Sequence, residues 1–291
     1  MNDLKPMTSA LPSGATVAMA AEAPRPPPYL RLRQVCLVAT QLAPAVDAWR
    51  SILGLEVCHR DPNVAVYGLE NALFACGQAF VEIVAPTRPG TAVGRFIERS
   101  GGDPDRAGGY MAIFDCDDPL ARRAQALRLG VRVAHDIEQP GYRGVQLHPR
   151  DCRATMLSFD HSLGGDVLGT AYAPAGPHWR GQQRLDRVQG LPLVELSSPE
   201  PEALARHWSA LTGVALQLDG RGQPRLNFDL GAVAVRGAAA GTPEQLSALY
   251  LQVSDAAAVR AAARRLGCAE EGSGFRLCGV RIQPCEYSSL P

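Results

Sequence analysis

In "AFVEIVAP" (79–86), strict alternation places Phe80, Glu82 and Val84 on one face of a strand. A carboxylate set among large apolar groups is costly unless it is paired or protonated. Burial raises its pKa towards the range in which it can serve as a general base. The plainer alternative is a structural network in which Gln34 or Tyr110 satisfies Glu82. Tyr110 opens the apolar run "YMAIF" (110–114). Its hydroxyl could donate to a substrate carbonyl or an enolate oxygen, although tyrosine is also simply a favourable strand residue.

Other chemistries find little support. The six histidines never fall in HxH, HxxxH or HExxH spacing. His148 in "LHPRD" belongs to a turn shaped by Pro149 and Asp151, where a histidine is more often exposed and idle. His59 and His161 lie at strand ends, and His207 precedes Trp208 on a solvated helix face. None of the eight cysteines forms a CxxC pair, which reads as reduced thiols packed as small hydrophobes in a cytoplasmic protein. No GxSxG, GxGxxG or GxxxxGK[ST] occurs between strand and helix, so a hydrolase triad and a phosphate cradle are not indicated. A net charge of +0 leaves no electrostatic footprint for nucleic acid or an anionic membrane. No segment approaches the roughly 20 apolar residues that span a bilayer.

The elements that must position Glu82 and Tyr110 form a repeat. "LRLRQVCLVAT" (30–40) reads as a strand, and "QLAPAVDAWRSILG" (41–54) as a helix ended by Gly54. Strand-like runs "LEVCHRD", "NVAVYGLENALFAC" and "QAFVEIVAP" follow. The order βαβββ recurs from "GGYMAIFDCDD", with a helix over 119–130 capped by Asp118. A third copy starts at "LPLVELSS", where Trp208 and Gly213 match Trp49 and Gly54. A fourth starts at "ALYLQVSD", where Asp255 and Gly267 match Asp118 and Gly130. Such units cannot each bury a sheet face alone, so they should pair.

Paired βαβββ units, with "QVCLVATQLAPAVDAWRSILGLEV", "FVEIVAP" and "VQLHPRDCRATMLSFD" in the first half, resemble the vicinal oxygen chelate superfamily. That superfamily includes glyoxalase I, methylmalonyl-CoA epimerase, extradiol dioxygenases and bleomycin-resistance proteins. The first half is most similar to the epimerase and glyoxalase type. The resemblance implies an α+β fold, with four units pairing into two tandem domains whose curled mixed sheets form a cleft. The expected organisation is a disordered leader (1–28), a first glyoxalase-like domain (29–161, units 29–98 and 108–161), a linker (162–186) and a second, degenerate domain (187–291). In the enzymes of the family, residues from the first and last strands of each unit hold a divalent cation.

Carried over, the resemblance places those positions at Gln34, Glu82, Tyr110 and Ser158, with 48 residues separating the pair in each unit. Only Gln34 and Glu82 are plausible ligands, so no cofactor is expected and a divalent metal is disfavoured. In the second half, Leu193 and Ser247 stand at the positions of Gln34 and Tyr110. No carboxylate is well placed at the ends of "AVAVRG" or "VRIQP" there.

The functional expectation is a small-molecule-binding protein for a carbonyl, carboxylate or thioester compound. As an enzyme it would be a lyase or isomerase, with Glu82 and Tyr110 catalytic and Gln34 and Ser158 binding substrate. The alternative is metal-free sequestration of the bleomycin-resistance type. A homodimer is left open, and a cleft filled by its own side chains would point to a structural role.

Overall fold

The computed structural model describes residues 28–287, so the expected leader falls outside them but for its last residue. The first sheet comprises β1 (Leu30–Val38), β2 (Val57–His59), β3 (Leu69–Cys76), β4 (Ala79–Pro86), β5 (Met111–Cys116), β6 (Val133–Gln139), β7 (Tyr142–Leu147) and β8 (Met156–Ser162). Its helices are α1 (Leu42–Leu53), α2 (Ala92–Arg99), α3 (Pro119–Arg128) and the single turn α4 (Pro149–Cys152). The strand order is β2-β3-β4-β1-β5-β8-β7-β6. Within each unit the first strand runs parallel to the last, and the two units join through antiparallel β1 and β5.

The second sheet repeats this plan with β9 (Val188–Ser198), β10 (Gln217–Leu218), β11 (Pro224–Asn227), β12 (Ala232–Gly237), β13 (Gln245–Val253), β14 (Glu270–Glu271), β15 (Gly274–Leu277) and β16 (Val280–Cys285). Its order, β10-β11-β12-β9-β13-β16-β15-β14, is that of the equivalent strands in the first sheet. Helices α5 (Pro201–Thr212) and α6 (Ala256–Arg265) complete the third and fourth units. Four βαβββ units therefore pair into two eight-stranded mixed sheets. No helix among the described residues is long and apolar enough to cross a membrane.

Local chemistry sets the helix ends. Asp118 and Asp255 accept from the backbone N–H three residues on, at 3.0 and 2.8 Å, and so satisfy orphan donors of α3 and α6. Gly54 and Gly213 follow α1 and α5 at φ 65° and 71°, a left-handed conformation that a side chain resists. Two features depart from the sequence reading. The run before β3 is not extended, because Pro62–Tyr67 forms a 3-10 helix whose start is capped by Asp61. The connection between the first two units also contains α2, capped by Thr91 and burying Val93 and Ile97, a helix absent from the sequence reading.

One face of each sheet turns inward. Leu32, Val35 and Leu37 of β1 share a single buried cluster with Val194 and Leu196 of β9 and with Leu249 and Leu251 of β13. Trp49 and Ile52 of α1, Ala126 of α3, Trp208 of α5 and Val259 of α6 belong to the same cluster. Helices of all four units thus pack between the sheets, with α1 against α6 and α3 against α5.

The first sheet is curled. Its edges, if flat, would stand ~33 Å apart at ordinary strand spacing. Yet Tyr67, beside one edge, meets His135 of β6 at the other, with the hydroxyl 3.0 Å from Nε2 and the rings in an edge-to-face contact. That bridge arches over the outer face, which is therefore concave. The second sheet lacks this curl.

Candidate functional site

Alternation along β1 and β4 sends Gln34, Cys36, Phe80, Glu82 and Val84 to the concave face while their neighbours enter the core. Cys36 pairs with Glu82, and Gln34 lies two residues earlier on β1. Gln34 Nε2 donates to Glu82 Oε2 at 2.9 Å, and Asn71 Nδ2 of β3 donates to Oε1 at 2.7 Å. Burial raises the Glu82 pKa, and hydrogen bonds from Asn71, Cys36 and Gln34 only partly oppose that rise. Glu82 nonetheless keeps some contact with solvent, whereas Gln34 and Asn71 are buried.

The second unit departs from the expected correspondence. Ile113 pairs with Ser158, so the position equivalent to Gln34 is two residues before Ile113, at Met111. Tyr110 stands one residue outside β5. It packs edge-to-face on Phe96 of α2, in the apolar cluster at one end of the concavity, with its phenol pushed up to about 12, chiefly by burial. Tyr110 thus lies near Glu82 without a hydrogen bond to it. Ser158 turns away from the Glu82 network and donates to Asp160 Oδ1 at 2.5 Å.

The other end of the concavity is filled by the connection between the sheets. Tyr172 stacks on Phe80 at 4.9 Å and Trp179 meets the same ring edge-on at 5.1 Å, all three fully buried. The Tyr172 hydroxyl donates to Gln34 Oε1 at 2.9 Å, which extends the chain Asn71–Glu82–Gln34. Tyr172→Phe should therefore leave a buried acceptor unpaired and cost ~1–2 kcal/mol in denaturant unfolding. An unchanged midpoint would mean that this contact adds nothing to the closure.

Asp160 was not anticipated from the sequence. It is 2% exposed and accepts from Ser158 and from the Tyr142 hydroxyl, the latter at 2.6 Å. Burial pushes its pKa up to about 7 against those two bonds. A carboxyl raised on folding stabilises the native state fully below its unfolded pKa. That contribution is lost as pH rises from ~4 through about 7. Asp160→Asn should flatten this part of the stability–pH curve, a difference on the order of 3 kcal/mol in unfolding free energy between those limits. Parallel curves for the two proteins would refute the assignment.

The donors do not suit a divalent cation. Gln34 spends its oxygen on Tyr172, Ser158 is committed to Asp160, and Met111 offers only a thioether. Glu82 is the one hard anionic donor of the four positions. No group of three or more His, Cys, Asp or Glu that could hold a metal occurs among the described residues.

Two surface hollows lie outside the Glu82 network. One of about 260 Å³ lies between the start of α1 and Cys278, and one of about 220 Å³ beside Arg123 and Asp136. Neither is lined by Glu82, Gln34 or Asn71. On the second sheet, Leu193 pairs with Ala232 and Glu195 with Ala234, so Ala234 stands where Glu82 does. Glu195 there accepts from Tyr250 at 2.9 Å and pairs with Arg281 at 3.1 Å, a cluster hidden from sequence reasoning because its members come from three strands.

No family model and no curated protein matches this sequence. Among solved structures, the methylmalonyl-CoA epimerase of Streptomyces coelicolor, in complex with 2-nitronate-propionyl-CoA, is similar at 23% identity. It covers 46% of this chain and 98% of its own, with a TM-score of 0.40. The methylmalonyl-CoA epimerase from Mycobacterium tuberculosis is similar at 19% identity, covering 46% and 87%, with a TM-score of 0.39. A hypothetical protein from Staphylococcus aureus is 9% identical and covers 88% of this chain and 99% of its own, with a TM-score of 0.56. That last match spans both sheets, so the tandem arrangement is a shared architecture. At 9% identity that match shows fold alone and leaves the reaction to the site itself.

Proposed function

We propose, for a chain whose fold is that of the vicinal oxygen chelate proteins, that the concave face of the first sheet binds a small carbonyl, carboxylate or thioester compound. Glu82 would take a proton next to the carbonyl, as in a lyase or isomerase. One observation carries this reading. Of Glu82, Asp115 and Asp160 on this face, only Glu82 combines a raised pKa with access to solvent. Asn71 and Gln34 orient its two oxygens, and with the Cys36 thiol they still leave one lone pair free. Tyr110 is the candidate donor to a developing oxyanion, whereas Gln34 is occupied by Glu82 and Tyr172 and acts by positioning.

Tyr172 and Trp179, side chains of this same chain, fill one end of the face against Phe80, which favours a structural role there; metal-free sequestration of a ligand is the other reading. The test is incubation in deuterated water with a panel of acyl thioesters and α-substituted carboxylates, followed by mass spectrometry. Solvent deuterium entering an activated C–H, and lost in Glu82→Gln, supports proton transfer. Binding without exchange in either protein supports sequestration.

A further inference from the structure

The β1–β5 pairing slips between Leu32 and Gln34, and Arg33 occupies that bulge. A bulge re-aims a side chain, and Arg33 reaches the same end of the concavity as Gln34. There its guanidinium lies among the rings of Phe80, Tyr172 and Trp179, at 5.4, 5.2 and 6.0 Å. Arg33 is 2% exposed, yet its Nε and Nη1 have no hydrogen-bond partner, and neither does Oδ1 of nearby buried Asp115. Asp115 and Arg33 attract each other through space, but no hydrogen bond joins them. Arg31 pairs with Asp115 Oδ2 at 3.2 Å and donates to the carbonyls of Gly165 and Asp166. Asp160 is engaged by Ser158 and Tyr142. The Asp115 carboxylate thus serves two guanidiniums, and Arg33 is the one that has no hydrogen bond to it. A buried guanidinium without an acceptor is costly, and its planar fork matches a carboxylate.

We propose that Arg33 is an anion-recognition residue, and that the ligand of the concave face carries a carboxylate which seats on Nε and Nη1 beneath Tyr172 and Trp179. The inference rests on the reading that this face binds a small molecule, and it specifies that molecule's class. The strap of residues 170–183 must lift to admit the ligand and then close over it. That closure explains why the aromatic contacts cover Arg33 and why burial lowers its pKa. Glu82, linked to this end through Gln34 and Tyr172, would face the remainder of the ligand.

The probes are acetate, propionate and pyruvate, compared with acetamide and propionamide at matched ionic strength. In the wild-type protein, the carboxylates should raise the melting temperature and slow amide exchange in residues 170–183, and the amides should do neither. Arg33→Met should remain folded, melt no lower than wild type, and weaken the carboxylate response at least ~30-fold, the range for removing one partner of a buried charge pair. Arg33→Lys keeps the charge but loses the fork, and should give an intermediate response. Wild-type protein indifferent to carboxylates at tens of millimolar, or an Arg33→Met protein that responds like wild type, overturns the proposal in favour of a water-bridged structural arginine. Glu82→Gln should retain the carboxylate response. Loss of Glu82-dependent exchange with that response intact would defeat only the catalytic reading. Exchange without a carboxylate response would defeat only the role of Arg33.

Discussion

Replacing Trp208 by alanine should destabilise the whole protein by ~3–5 kcal/mol, and Trp49→Ala should do the same. Both indoles are fully buried. Trp208 of the third unit donates to the Cys152 carbonyl of the second at 3.0 Å and packs on Phe114, whose ring also touches Phe228 of the other half. Trp49 of the first unit stacks on Phe74 and directs its N–H to Cys278 of the fourth, 3.4 Å away. Each truncation therefore opens a cavity and removes a link between sheets that share one core. The expected signature is a single cooperative transition in which amide protection falls in β3–β5 and in β12–β16 together. Independent melting of the two halves, or a loss below ~1 kcal/mol, would show that the shared cluster does not couple them.

Glu82→Gln should reduce any proton-exchange activity by ~10²–10⁴-fold, the usual contribution of a positioned general base. The substitution keeps shape and removes only the ionisable oxygen. The amide must also face donors from both Asn71 and Gln34, so one of those bonds is lost and a small stability cost accompanies the loss of rate. A pH profile separates the two effects. The base acts as the carboxylate, so the wild-type rate should climb with pH and level off only above a midpoint higher than the ~4.3 of an ordinary glutamate, because burial raises the Glu82 pKa. The variant should show a low rate without that rise. A Glu82→Gln protein with wild-type exchange and an unchanged profile would remove Glu82 from the mechanism.

Much of this architecture was legible because its signals are local. Apolar alternation marks β1, β4 and β9, and helical spacing marks α1 and α5. Asp118, Asp255, Gly54 and Gly213 punctuate helices through bonds to residues at most four positions away. From those cues the four units and their pairing follow, and the family resemblance adds the mixed sheets. Parity along β4 put Glu82 on one face with Phe80 and Val84, and the family resemblance added Gln34, which meets it at 2.9 Å.

The tertiary structure decided the rest. A one-residue difference in register put Met111, not Tyr110, at the position equivalent to Gln34, and strand spacing alone contains no information on such slips. The bulge that turns Arg33 inward is likewise a property of β1 against β5. The filling of the concavity was hidden most completely, because Tyr172 reaches Gln34 from 138 residues away in a segment whose composition reads as a plain connection. Periodicity and caps are written in neighbouring residues. Which polar groups share a buried space depends on register and on long-range closure, and these exist only once the sheet has curled and the strap has docked.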